Sequence, residues 1–217
     1  MRYPLLIGVV IASLPLMSLS ALTGPSAVAR ASKAGAMSSN PVTPISELYK
    51  ALTRIEGEGG STPFADRARL LAPAIDQAFN IPAILHTSIG PRYASIPGDQ
   101  QQELERVFRQ FTIARYVSNF TADSGDTLKV MPQARKSPYG SDEIVQTQLI
   151  SKGGTTTKLD YVMRQFAQGW KVVDVLLDGH ISQVAVQRSD FASTVETGDA
   201  KPLIERLKKK IRSFSSS

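Results

Sequence analysis

The 217-residue sequence contains no cysteine. That absence excludes disulfide bonds, thiolate metal sites, a cysteine nucleophile and the modified cysteine of a lipoprotein signal, so stability has to come from packing. Histidine is scarce as well. His86 and His180 stand far apart and form no His-Glu-x-x-His pair, which leaves no zinc shell to recognise. There is no Gly-x-Ser-x-Gly elbow, and Gly153-Gly154-Thr155-Thr156-Thr157-Lys158 lacks P-loop spacing and reads as a hairpin loop. Asp160, Asp174 and Asp178 lie on or beside expected strands, but acid–base work needs two carboxylates with separated pKa values across a cleft. Hydrogen-bonded structural roles are the expectation for all three, with Asp174 on the strand face of Trp170, Val172 and Leu176. No catalytic residue, metal ligand set or cofactor is expected.

What is present begins with a short positive start at Arg2 and an apolar run from Leu5 to Leu22, interrupted by Pro15 and small residues. Ala29-Arg30-Ala31 then offers the small-x-small pattern of a cleavage site, so residues 1–31 read as a cleavable signal peptide for export. Residues 32–42, rich in Ser, Ala, Gly and Asn, read as a flexible leader, residues 43–212 as one folded domain and residues 213–217 as a disordered tail. No second long apolar run follows. The formal charge is +6, and loss of Arg2 and Arg30 leaves +4, a modest positive balance suited to anionic headgroups or an acidic partner. Export makes nucleic acid an improbable ligand. The dense basic cluster of Arg206, Lys208, Lys209, Lys210 and Arg212 fits cations near a helix C-terminus, with docking to an anionic membrane or partner as the sharper alternative.

Within the domain the apolar period is first helical. Thr43-Pro44 opens a helix carrying Ile45, Leu48, Leu52 and Ile55, closed by Gly57, Gly59 and Gly60. Thr62-Pro63 opens a second, with Phe64, Ala68, Leu71, Ile75 and Phe79 in one stripe and a kink expected at Pro73. Asn80 caps a third that ends at Gly90, and a longer fourth runs from about Asp99 to Phe120 with two apolar stripes. The period then becomes alternating. Val145, Thr147 and Leu149 share one strand face, Leu159, Tyr161 and Met163 the next, and Trp170 to Leu177 form a third strand. Helical spacing returns from Ile181 to Val195 and from Lys201 to Ile211. This order predicts an α+β fold with helices packed on a curved antiparallel β-sheet. The surplus of large inward-facing apolar residues fits either a filled core or an apolar cavity between the layers, in which each buried methylene would gain about 0.8 kcal/mol.

Several segments resemble the MlaC-like, or toluene-tolerance, family. They are Leu71-x-Pro73-x-Ile75-Asp76-x-x-Phe79 with Ile81, Ile89-Gly90 with Tyr93, and Gln101 to Tyr116 with Phe108 and Phe111. Trp170-Lys171-Val172-Val173-Asp174-Val175 leads through Asp178-Gly179 and Ile181-Ser182 to Arg188-x-x-Phe191, and Gly198-Asp199 with Leu203-Ile204-x-x-Leu207 completes the likeness. The resemblance implies a periplasmic lipid-binding shuttle, not an enzyme, that carries phospholipid between an inner-membrane ABC transporter complex and an outer-membrane lipoprotein complex. It also implies a monomer with an apolar lipid pocket between helices and sheet. By analogy the pocket would draw on Ile84, Leu85, Ile89 and Tyr93, on Phe108, Phe111 and Tyr116, and on Leu159, Tyr161, Trp170, Val172 and Phe191. Val172 to Phe191 looks most like the branch associated with hopanoid biosynthesis, so a hopanoid is the alternative cargo.

Overall fold

In the computed structural model, residues 40–57, 62–120 and 125–216 are described. The expected signal peptide, the leader as far as residue 39, Gly59-Gly60 and the Ala122-Asp123-Ser124 turn lie outside them. Four helices come first: α1 (Val42–Gly57), α2 (Phe64–Ala78), α3 (Ile81–Ile89) and α4 (Gly98–Asn119), with a 3-10 turn at Gly90–Ser95. Six strands follow, β1 (Thr127–Val130), β2 (Arg135–Lys136), β3 (Glu143–Ile150), β4 (Thr156–Phe166), β5 (Gly169–Leu177) and β6 (Ile181–Ser182). The described chain closes with α5 (Gln183–Ala192) and α6 (Lys201–Ser215). Among the described residues no helix is long and apolar enough to cross a membrane.

Helix starts differ from the expected ones by a residue or two. Asn40, not Thr43, caps α1, its Oδ1 accepting the Val42 N–H at 2.9 Å, and Val42 is already buried. Residues 40–42 therefore belong to the folded body and not to a leader. Pro63 occupies the cap position of α2 and the helix runs through Pro73 to Ala78. Asn80 caps α3 as its side chain predicts, accepting the Ala83 N–H at 3.0 Å, and Gly90 closes that helix at φ 73°, a conformation glycine adopts without strain. At the other end α6 continues to Ser215, so residues 213–215 are helix and not tail. Phe214 explains the extension, since its ring packs 6.0 Å from that of Phe111.

The strands form one antiparallel sheet in the order β1-β3-β4-β5-β6, with β2 added beside β3. Three of the six, β1, β2 and β6, were not anticipated, because runs of two to four residues are too short to display alternation. Ile181 begins β6 and not a helix. One irregularity matters for everything that follows. Met163 pairs with Val172 but Val162 pairs with Asp174, so Val173 is the extra residue of a bulge. Directly paired residues share a face, so Trp170 and Val172 lie on the face of Tyr161 and Met163, and beyond the bulge Val175 and Leu177 take it over. Asp174 and Leu176, expected on that face, are turned off it.

The helices cover this face. Phe79, just beyond α2, bridges to Val172, and the Asn80 N–H donates to the Val172 carbonyl at 3.0 Å, which stitches α2 and α3 to β5. In the core, Ile45, Leu48, Leu52 and Ile55 of α1, Leu71 and Ile75 of α2, and Leu104 and Val107 of α4 are buried against Val145, Tyr161 and Met163 of the sheet. Two sets of hydroxyl contacts cross it. Thr147 donates to the Leu159 carbonyl at 2.6 Å, so the 2.5 Å contact between Tyr49 and Thr147 has Tyr49 as donor. Tyr116 donates to Tyr161 at 3.3 Å, and the Tyr161 ring meets that of Tyr49 edge-on at 6.1 Å.

Tyr49→Phe should remove the buried hydrogen bond to Thr147 and lower stability by about 0.5–1.5 kcal/mol, the net worth of such a bond. Urea denaturation reads this as a lower midpoint at unchanged slope; an unshifted midpoint would show that this bond carries no weight.

Candidate functional site

A cavity of about 390 Å³ lies between α4, the sheet and α5. That volume falls within the range of about 300–1,000 Å³ usual for small-molecule sites. Its roof is one face of α4, where Phe108, Phe111, Thr112, Arg115, Tyr116, Asn119 and Phe120 recur at steps of three and four. Val107, Ala114 and Val117 occupy another, fully packed side of the helix, and Leu104 is buried one turn before Phe108. Leu149, Leu159, Val175 and Leu177 form the floor, and Phe79, Ile84 and Val184 close the sides. The walls are mostly apolar, yet Tyr116, Leu149, Leu159, Val175 and Leu177 are only half-buried. Large apolar side chains left half-covered around a concavity are the usual lining of a small-molecule pocket. Polar groups sit among them: Arg115 donates to the Gln183 side chain at 2.8 Å, and Ser88 donates to Gln187 at 3.1 Å.

Five of the twelve residues expected in the pocket line this cavity: Ile84, Phe108, Phe111, Tyr116 and Leu159. The other seven do not. Leu85, Tyr161 and Val172 are fully buried in the core beneath it, and Ile89 is buried at the C-terminal end of α3. Tyr93 lies outside, donating to Glu105 at 2.7 Å and meeting the His86 ring edge-on at 5.2 Å. Trp170 is carried away by its pairing with Gln165 at the start of β5. Phe191 packs edge-on to Phe108 at 6.2 Å and lines a smaller neighbouring cavity. Val175 and Leu177 were missed because the bulge hides their face, and Arg115 and Asn119 because polar residues within an aromatic stripe read as solvent-facing.

The candidate acids are committed elsewhere. Asp160, on the face opposite Leu159 and Tyr161, is buried and meets Arg135 at 3.3 Å. Asp174 touches the cavity wall but its carboxylate accepts the Ser182 hydroxyl at 2.5 Å and the N–H groups of Val175 and Val184 at 2.7 and 3.1 Å. It therefore ties β5 to the start of α5, where Ser182 also caps the helix by accepting the Ala185 N–H. Asp178 sits in the turn after β5 at φ 53°. The remaining notable groups here are phenols: burial pushes Tyr161 and Tyr116 well above the ordinary tyrosine value, and Tyr49 upward as well.

Two outcomes follow. Asp174→Ala should lower stability by about 1.5–3 kcal/mol through loss of charge-assisted bonds, read as a lower thermal midpoint. The tyrosines give a pH signature. Their folded-state values lie above the unfolded value of 10.0, so the unfolded chain loses these protons first, and stability, complete below pH 10, should fall as pH rises beyond it. Urea midpoints followed from pH 8 to 11 check the sign; a midpoint that rises over about pH 10–11 contradicts it.

Over residues 48–209 the sequence matches the family described as MlaC protein. No curated protein matches it. Among solved structures, a phospholipid-binding protein from Ralstonia solanacearum in complex with a phospholipid is similar, at 18% identity and a TM-score of 0.66, covering 81% of this chain and 99% of that one. At that identity the likeness establishes the fold, six described helices with an open antiparallel sheet. The match across residues 48–209 places the chain in the MlaC family.

Proposed function

We propose that the chain is an exported periplasmic lipid carrier that shields the apolar part of a phospholipid in the cavity beneath α4 and moves it between an inner-membrane transporter complex and an outer-membrane complex. The observation that carries this reading is the half-buried floor and roof of Leu159, Val175, Tyr116 and their neighbours around about 390 Å³ of space. Each methylene placed there gains about 0.8 kcal/mol, so ten of them supply on the order of 8 kcal/mol before the cost of ordering the chain. Family membership and the phospholipid named for the Ralstonia protein support the choice of cargo. The signal-like residues 1–31 support export. The engagement of Asp160 and Asp174 in structural hydrogen bonds favours binding over hydrolysis.

Leu159→Trp places an indole in the cavity floor. Displacing only two methylenes of cargo costs about 1.6 kcal/mol, so uptake of an acyl-labelled phospholipid from vesicles should fall more than about tenfold. The variant's thermal midpoint serves as the folding control, and undiminished uptake by a folded variant would sink the carrier reading. A hopanoid extracted in place of phospholipid would keep the cavity and change the cargo.

A further inference from the structure

Beside the apolar cavity lies a second, of about 270 Å³, between α4, α5 and α6. The two share Phe111, Arg115, Gln183 and Gln187, so Arg115 stands at the junction of both. Their charge differs. The second cavity adds Arg206 and Lys210 from α6, giving three cations against the one carboxylate of Asp190. These cations are not spent on partners as others are. Arg106, Arg109 and Arg164 each meet a carboxylate, Glu103, Asp76 and Asp142 respectively. Arg115 instead donates to the neutral side chain of Gln183, and Arg206 to the backbone carbonyl of Asp190 at 3.2 Å. Among the described residues neither they nor Lys210 lies within ion-pair distance of a carboxylate. Asp174, the acid in the first cavity's wall, has its carboxylate engaged by Ser182, Val175 and Val184.

We propose that this second cavity is an anion-binding vestibule in which Arg115, Arg206 and Lys210 hold the phosphate of a lipid headgroup, so that the protein selects negatively charged phospholipids. The inference rests on the carrier reading and names its cargo more narrowly. Guanidinium groups present paired donors that match phosphate oxygens, and Lys210 adds a point charge. Arg115 at the junction lets one molecule keep its phosphate in the vestibule and its acyl chains in the apolar cavity. A zwitterionic headgroup brings its own ammonium against Arg206 and Lys210, and an uncharged polycyclic lipid leaves the three cations without a partner.

The test offers lipid-free protein vesicles containing phosphatidylglycerol, phosphatidylethanolamine and diacylglycerol with identical acyl chains, and measures bound lipid by mass spectrometry. Exposed ion pairs each shift an equilibrium by up to about fivefold, so phosphatidylglycerol should exceed diacylglycerol by about fivefold or more in the wild-type chain. That ratio should shrink towards one in Arg206→Gln/Lys210→Gln and as salt is raised. Diacylglycerol uptake reports the apolar cavity alone. If the wild-type chain takes up diacylglycerol with no headgroup preference, or if the double variant keeps the preference, the vestibule is overturned and the carrier reading stands. If no lipid is taken up, both fall. Inorganic phosphate added alone distinguishes the other source of the same chemistry: binding of free phosphate through Arg206 and Lys210 without any headgroup preference assigns the site to a free anion and overturns its role in cargo choice.

Discussion

The hydroxyl of Tyr161 sets the terms for the rest of the structure. It is completely buried where α1, α4 and the sheet converge, and a buried hydroxyl is tolerated only with its hydrogen bonds made. Its hydrogen-bond partner is Tyr116 of α4 at 3.3 Å, and Tyr49 of α1 meets its ring edge-on at 6.1 Å. From α1, Tyr49 donates to Thr147, which has given its one proton to the Leu159 carbonyl. The last acceptor belongs to the residue whose side chain forms the cavity floor. α4 is thereby pinned to the sheet at one point, and the space beside that point stays open.

That arrangement gives α4 two unlike surfaces. Leu104, Val107, Ala114 and Val117 are packed as core, while Phe108, Phe111, Tyr116 and Phe120 face the cavity with Thr112, Arg115 and Asn119 among them. The bulge at Val173 completes the floor by bringing Val175 and Leu177 onto the face of Leu159. The same shift turns the Asp174 carboxylate towards β6 and α5, where it clamps the helix that carries Val184, Gln187 and Phe191. One extra residue in β5 therefore supplies both part of the apolar wall and the anchor of its neighbour. Apolar area on these walls left in water forgoes about 25 cal/mol per Å², which is the driving force available to the proposed cargo.

Much of this was legible in the sequence. Period and punctuation located all six described helices and the three long strands, because Ile45 to Ile55, the Asn80 cap, Gly90 and the Val145 to Leu149 alternation are strong local signals. The cavity's lining was legible in part: of the residues named for a pocket, Ile84, Phe108, Phe111, Tyr116 and Leu159 border this cavity, whereas Leu85, Tyr161 and Val172 are core. Apolar character says that a side chain leaves water, not whether its neighbour is protein or cargo. Asp174 and Leu176 were misplaced for a different reason, since strict alternation cannot register a bulge. The short strands β1, β2 and β6 depend on pairing with β3 and β5, a tertiary fact that no window of two to four residues contains. Ser213 to Ser215 looked like a tail because serine favours ends, but Phe214 had a ring to meet.

The central claim is that the cavity exists to hold lipid, and native mass spectrometry of the protein released gently from its own cells tests it most directly. The protein should carry a non-covalent mass increment matching one lipid, removable by organic extraction and identifiable from the extract. A chain of bare polypeptide mass, recovered without any extractable lipid, would contradict the claim.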